Sequence, residues 1–212
     1  MSAHRIPRLG VTGGIGSGKS TATAFLAELG AAAVSADELV HHLLEEQAII
    51  SRVERHFGGG VLEDEQIVRP ALANVVFNDA GELVWLESLL HPHVKRLILA
   101  WAREQEARRP RPPLLVAEVP LLFESEMTDV FDYILLVTAP EAARRKRLSA
   151  KVTEAEFTRR AARQRPEAEK ALHSDFVAEN VGSRERLKRY VGEVYATILA
   201  EDQRPDGSPP AR

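Results

Sequence analysis

Residues 13–20 read Gly-Gly-Ile-Gly-Ser-Gly-Lys-Ser and stand directly behind the apolar stretch Leu9-Gly10-Val11. The run fits G-x-x-x-x-G-K-[ST], a pattern that works only where a strand precedes it and a helix follows. No other feature of the chain constrains its fold so tightly. Glycines let the backbone curl with its N–H groups facing inward, a shape that cradles a chain of phosphates. The helix expected next, over residues 20–28, adds the positive end of its dipole. Lys19 can reach the β- and γ-phosphates as a mobile point charge, and Ser20 offers a hydroxyl to Mg²⁺. Gly14, Ile15, Gly16, Ser17, Gly18, Lys19, Ser20 and Thr21 are therefore the candidate nucleotide contacts. A glycine-rich turn without a ligand would account for the glycines but not for strand, lysine and helix together.

Beyond the loop, short apolar runs alternate with helical patterns. Residues 8–12, Ala32–Ser35, 114–118 (LLVAE), 133–137 (YILLV) and 176–178 (FVA) read as strands. Near-continuous apolar runs suit parallel strands buried on both faces. Helices between them imply right-handed βαβ crossovers. The expectation is an α/β fold: a doubly wound, parallel, five-stranded sheet of the P-loop NTP hydrolase/kinase type, with ligands at the C-terminal strand ends.

Two stretches break the rhythm. Residues 38–110 read mostly as helix, with Gly58-Gly59-Gly60 as a breaker and an interruption expected at His91-Pro92. They are read as a helical insertion, either a cap over the acceptor site, the favoured reading, or mere elaboration of the core. Residues 141–165 are rich in arginine and lysine, Arg147 and Lys151 among them. They suit two helices joined near Val152-Thr153, the second opened by a capping box of Thr153 and Glu156. A lid that brings cations to the transferring phosphate is one reading. A solvated face paired with its glutamates is the other, and it accounts for most of these side chains. The division expected is a nucleotide-binding core (1–37, 111–140 and 166–201), the insertion (38–110), the lid (141–165) and a disordered tail (202–212).

Composition narrows the function. Formal net charge is −3, which argues against a general nucleic-acid binder. No apolar run approaches the roughly 18–20 residues of a membrane span, and the N-terminus lacks the apolar core of a secretory signal. The chain has no cysteine, so it has neither disulfides nor thiolate metal sites, which suits a reducing, cytoplasmic setting. Monomer is the default expectation, since no sequence feature demands a partner.

Phosphoryl transfer needs positioning and charge neutralisation, and a group beside the acceptor oxygen. Asp37, just past the second strand, could orient an acceptor hydroxyl; it could equally cap the next helix. Glu118, at the end of LLVAE, could hold Mg²⁺ through a water or simply face solvent. The adjacent His41 and His42 point to different helix faces, and His91 and His93 lack the spacing of a zinc motif.

Taken in order, LGVTGGIGSGKST, LGAAAVSADELV, LLHPHV, AEVPLLFES and FVAENVGS resemble the dephospho-CoA kinase family over about residues 8–200. The resemblance implies ATP and Mg²⁺ as cofactors and dephospho-CoA as the small-molecule acceptor, phosphorylated at its ribose 3′-hydroxyl. It implies Asp37 as the residue that activates or orients that hydroxyl. It places His91 in the acceptor-binding insertion, and Pro120, Leu121, Phe123 and Glu124 along the acceptor site. Asn180 and Gly182 match the turn at the adenine, and residues 144–165 match the lid. The chain departs from the family pattern at three points. Ser35 stands where an aspartate is common, and His41 where an arginine is usual. In the lid, Lys151 replaces an arginine, which keeps the charge but loses the bidentate fork; the transition-state contact then falls to Lys151 or Arg147. Another small-acceptor P-loop kinase is the nearest alternative. A nucleotide switch or nucleic-acid ATPase is the more distant one, without a guanine-reading N-K-x-D or a basic stripe to support it.

Overall fold

A computed structural model of the protein describes residues 5–150 and 152–203. The chain divides into two compact units, one formed by residues up to Ser35 and from Leu99 onward, the other by Ala36–Ile98.

The first unit is built on five parallel strands: β1 (Arg8–Gly13), β2 (Ala32–Ser35), β5 (Leu115–Glu118), β6 (Tyr133–Thr138) and β7 (Phe176–Glu179), in the spatial order β2-β5-β1-β6-β7. The strand composition explains that order. β1 and β6 are buried along nearly their whole length, as central strands covered on both faces must be. The edge strand β2 has no fully buried position and β7 has one. Register follows from the pairs Leu9 with Val116 and Leu9 with Tyr133. The order reverses at β1, so its C-terminal end is the switch point at which sheets of this kind bind ligands.

Helices α1 (Lys19–Glu28) and α9 (Arg184–Asp202) belong to this unit. Phe25 and Leu26 of α1 and Val191, Val194 and Ile198 of α9 join Leu9, Val11 and Leu135 in one core cluster. Burial of side chains of this size contributes about 1.5–3 kcal/mol each. Tyr133 ties α9 to β6 by donating to Glu201 Oε2 at 2.9 Å. Burial first, and that bond second, raise its phenol well above the ordinary range. A smaller cluster joins Ile6, Ala102 and Leu115. After β6 come α6 (Glu141–Leu148), α7 (Glu154–Ala162) and α8 (Glu167–Leu172). Thr153 accepts the Glu156 N–H at 3.2 Å, so the predicted cap on α7 is present.

The second unit holds α2 (Ala36–Leu43), α3 (Gln47–Phe57), a short hairpin of β3 (Leu62–Glu63) and β4 (Gln66–Ile67), α4 (Arg69–Asn78) and the start of α5 (Ala80–Ala107). The hairpin was not expected. Asp64 and Glu65 form its turn with positive φ, a geometry that the sequence pattern D-E does not announce. The expected break at His91-Pro92 does not occur, and α5 runs through Pro92 without interruption. Proline costs its own N–H bond and crowds the carbonyl four residues back, and the buried residues Leu89, Leu90, Val94 and Ile98 on either side offset that cost. At the C-terminus, α9 extends through Asp202, so the expected tail begins later than position 202. Residues 204–212 of that tail lie outside the described residues.

Candidate active site

The phosphate loop joins β1 to α1. Gly13 and Gly18 have φ of +145° and +107°, a region that side chains other than glycine rarely enter. Space is short as well. A Cβ on Gly13 would lie 2.1 Å from the Val137 carbonyl oxygen, and one on Gly18 2.4 Å from Asn180 Nδ2. Gly18 is the N-cap of α1; no side chain caps the helix, and its first turn carries no acid. Its leading N–H groups therefore remain available to an anion, in the favourable field of the dipole.

Lys19 and Ser20, both expected from the sequence to contact the nucleotide, stand in that first turn. Lys19 is only 8% exposed. Its ammonium donates to Gly13 O at 3.1 Å and Gly14 O at 3.0 Å, so it rests on the loop itself. Ser20 Oγ donates to Glu118 Oε1 at 2.9 Å. Hydroxyl and carboxylate are thus in direct contact at the head of α1. Among the described residues, no group of three or more His, Cys, Asp or Glu forms a metal cluster.

Asn180 is buried, and its Nδ2 donates to Ser17 O at 2.7 Å. Arg147 donates to Gly16 O and Ser17 O, each at 3.2 Å, and to Asn180 O at 3.0 Å. Its guanidinium is thereby committed to three backbone carbonyls and braces the loop against the Asn180 turn. Arg144 lies beside Gly14: a Cβ there would lie 2.6 Å from Arg144 Nη1. Lys151, expected with Arg147 as a lid cation, lies outside the described residues. Gly182 sits exposed before Ser183, whose hydroxyl caps α9 by accepting the Arg186 N–H.

The Pro120–Glu124 segment follows β5. Pro120 O accepts the Thr12 hydroxyl at 3.3 Å. Leu121 O accepts the Ser125 hydroxyl at 2.6 Å. Phe123 lines a cavity of about 590 Å³ with Ile134, Arg165 and His173, residues that carry none of the phosphate-loop chemistry. Glu124 has a structural partner that the sequence did not reveal. Its Oε1 accepts from Lys170 Nζ at 2.8 Å and from the Arg165 N–H at 2.7 Å. Lys170 is 1% exposed, yet within EAEKAL it reads as an ordinary solvated lysine.

Breaking a buried pair by removing one partner leaves the other charge uncompensated, at about 3–5 kcal/mol. Lys170→Met should therefore lower unfolding stability by about 3 kcal/mol in a denaturant titration. Lys170→Met combined with Glu124→Gln should recover part of that loss. A single variant as stable as the wild type would show the pair to be dispensable.

In the second unit, Asp37 is exposed in the first turn of α2. His41 lies one turn further along the same face. Its Nε2 is 2.5 Å from Arg69 Nη2. Sequence reading passed over Arg69, although it places a guanidinium beside the position where the family resemblance led us to expect one. His91 lies half-buried within α5.

A family model described as dephospho-CoA kinase matches residues 8–185. The chain is 39% identical to a dephospho-CoA kinase of Protochlamydia amoebophila over 92% of its own length and 97% of that relative. It is 34% identical to one of Helicobacter pylori, over 90% and 97% respectively. A crystal structure of TT1252 from Thermus thermophilus is similar at 35% identity, with a TM-score of 0.77 over 92% of this chain and 98% of that one. A shikimate kinase from Acinetobacter baumannii, at 13% identity and a TM-score of 0.52, covers 95% of this chain and 97% of its own and shares the fold. No helix among the described residues is long and apolar enough to cross a membrane.

Proposed function

The chain belongs to the dephospho-CoA kinase family, and from that premise we propose how its residues perform ATP-dependent phosphorylation of the ribose 3′-hydroxyl of dephospho-CoA, giving CoA and ADP. The phosphate loop carries the reading. Its glycine conformations, uncapped helix start and resident Lys19 make a cradle for a triphosphate.

Transfer is direct and in line, without a phospho-enzyme. Loop amides and Lys19 take up charge on the β- and γ-phosphates. Ser20 and, through water, Glu118 would hold Mg²⁺, and the 2.9 Å approach of their oxygens fits that role. When bound, Mg²⁺ supplies charge neutralisation across the β- and γ-oxygens. Asp37 orients the 3′-hydroxyl and accepts its proton. His41 and Arg69 meet the acceptor's anionic groups, and His91, Pro120, Leu121 and Phe123 are the further acceptor residues that the family resemblance implies. Asn180 and Gly182 support the adenine, and lid cations, Arg144 beside Gly14 among them, exclude water as the site closes. Residues 38–110 act as the acceptor-binding insertion and 141–165 as the lid. A monomeric, cytoplasmic enzyme that acts without nucleic acid or membrane is part of the same proposal.

The deciding experiment measures ADP release from Mg-ATP with and without dephospho-CoA, and identifies the product by mass. Acceptor-dependent turnover yielding a product heavier by one phosphoryl group is expected. ADP release that dephospho-CoA does not stimulate would overturn the reading, and a panel of nucleosides, nucleotides and sugars would then locate the acceptor.

A further inference from the structure

Gln164 occupies a position that neither the motif nor the resemblance assigned. It lies between α7 and α8, half-buried. Its carboxamide reaches two separate parts of the site. Oε1 accepts the Ile15 N–H of the phosphate loop at 3.3 Å. Nε2 donates to Gly13 O at 3.2 Å and to Pro120 O at 3.3 Å. Gly13 and Ile15 belong to the nucleotide loop at the end of β1. Pro120 opens the segment that follows β5. One side chain thus joins the triphosphate cradle to the neighbouring strand end.

The chemistry of the group fits these partners. A primary amide offers two N–H donors and a carbonyl acceptor, and here two carbonyls and one N–H face it. The opposite orientation would set its oxygen against two carbonyl oxygens, so the network fixes which atom is which. Glutamate has the same shape but no donor. Asparagine is one methylene short, and alanine makes none of the bonds.

The residues around Gln164 are tethered too. The next residue, Arg165, donates its N–H to Glu124 Oε1 at 2.7 Å. Lys170, on α8, pairs with the same oxygen at 2.8 Å. The connector between the lid helix α7 and the sheet is therefore pinned twice, to the phosphate loop by Gln164 and to the post-β5 segment by Glu124.

We propose that Gln164 is a positioning residue: its carboxamide sets the shape of the phosphate loop at Gly13–Ile15 and the separation of that loop from the post-β5 segment at Pro120, and couples both to the base of the lid. The inference rests on the kinase reading, because it gives the spacing a catalytic purpose. A displacement of about 1 Å at a reacting centre can reduce rate by about 100-fold, so a clamp on this spacing acts on kcat.

The test compares Gln164→Ala and Gln164→Glu with the wild type in kcat, KM for each substrate, Tm, and ADP affinity by calorimetry. Both variants are expected to lose at least about tenfold in kcat, with KM for dephospho-CoA little changed. Gln164→Glu, which keeps the packing, should also lose about tenfold in ADP affinity, because it sets a carboxylate beside the phosphates. Both variants within threefold of wild-type kcat would overturn the inference, as would an unchanged ADP affinity in Gln164→Glu. A kcat loss matched by a collapse in Tm for both variants would also overturn it, reducing Gln164 to a packing role. A wild type that makes no CoA defeats the kinase reading instead, and the ADP affinities still decide whether Gln164 shapes the loop.

Discussion

Lys19→Met is expected to lower kcat/KM for ATP by about 10³-fold or more while leaving the fold intact. Methionine keeps the unbranched stem and removes only the charged head. Lys19 sits 8% exposed, where a charge is worth more than in water because little solvent screens it. In the structure its ammonium rests on Gly13 O and Gly14 O, the carbonyls of the loop it serves. Arriving phosphates give it a stronger, anionic partner without a large movement. Charge on the bridging and γ-oxygens changes during transfer, so part of its contribution appears only in the transition state. kcat should therefore fall as well as KM rise. Lys19→Arg should not restore activity, since the larger guanidinium has no room at this depth. Steady-state ADP release with saturating dephospho-CoA measures both constants. More than a tenth of wild-type kcat/KM in Lys19→Met would remove the lysine from the chemistry.

What the sequence disclosed and what it withheld follow a physical line. The phosphate loop was legible because its requirements are local: glycines at Gly13 and Gly18 for backbone conformation and space, and a lysine and a serine in the next helical turn. The sheet was legible because central strands must be apolar along nearly their whole length, as residues 114–117 and 133–137 are. Partners from distant parts of the chain were not legible. Gln164 lies about 150 residues from the loop it holds, in a stretch dominated by charge, and nothing in its neighbours marks it. Lys170 and Glu124 find each other only after folding. Arg147 reads as a cation waiting for phosphate, and the structure gives it three carbonyls instead. A family pattern names which positions matter, while the hydrogen bonds of this chain decide what each of them does.

Asp37→Asn should lower kcat by about 10³-fold with KM for dephospho-CoA within threefold. The substitution separates the two roles that the sequence left open. A residue that only favours the start of α2 would tolerate it, because Asp37 is the second residue of the helix, not its cap, and acts there through its charge. The charge–dipole share of that role is only about 0.3–1 kcal/mol at an exposed site, which a Tm measurement reads directly. A residue that takes the proton of an attacking hydroxyl would not tolerate it, because the amide carries no charge and accepts no proton at neutral pH. Asp37 is exposed, so the substitution buries nothing and leaves no cavity, and surface changes of this kind usually shift stability by less than about 0.5 kcal/mol. A large kcat loss at unchanged Tm therefore assigns Asp37 to the acceptor hydroxyl. Wild-type kcat at unchanged Tm would return it to the helix, and the group that orients the hydroxyl would have to be sought elsewhere in the second unit, with His41 and Arg69 first.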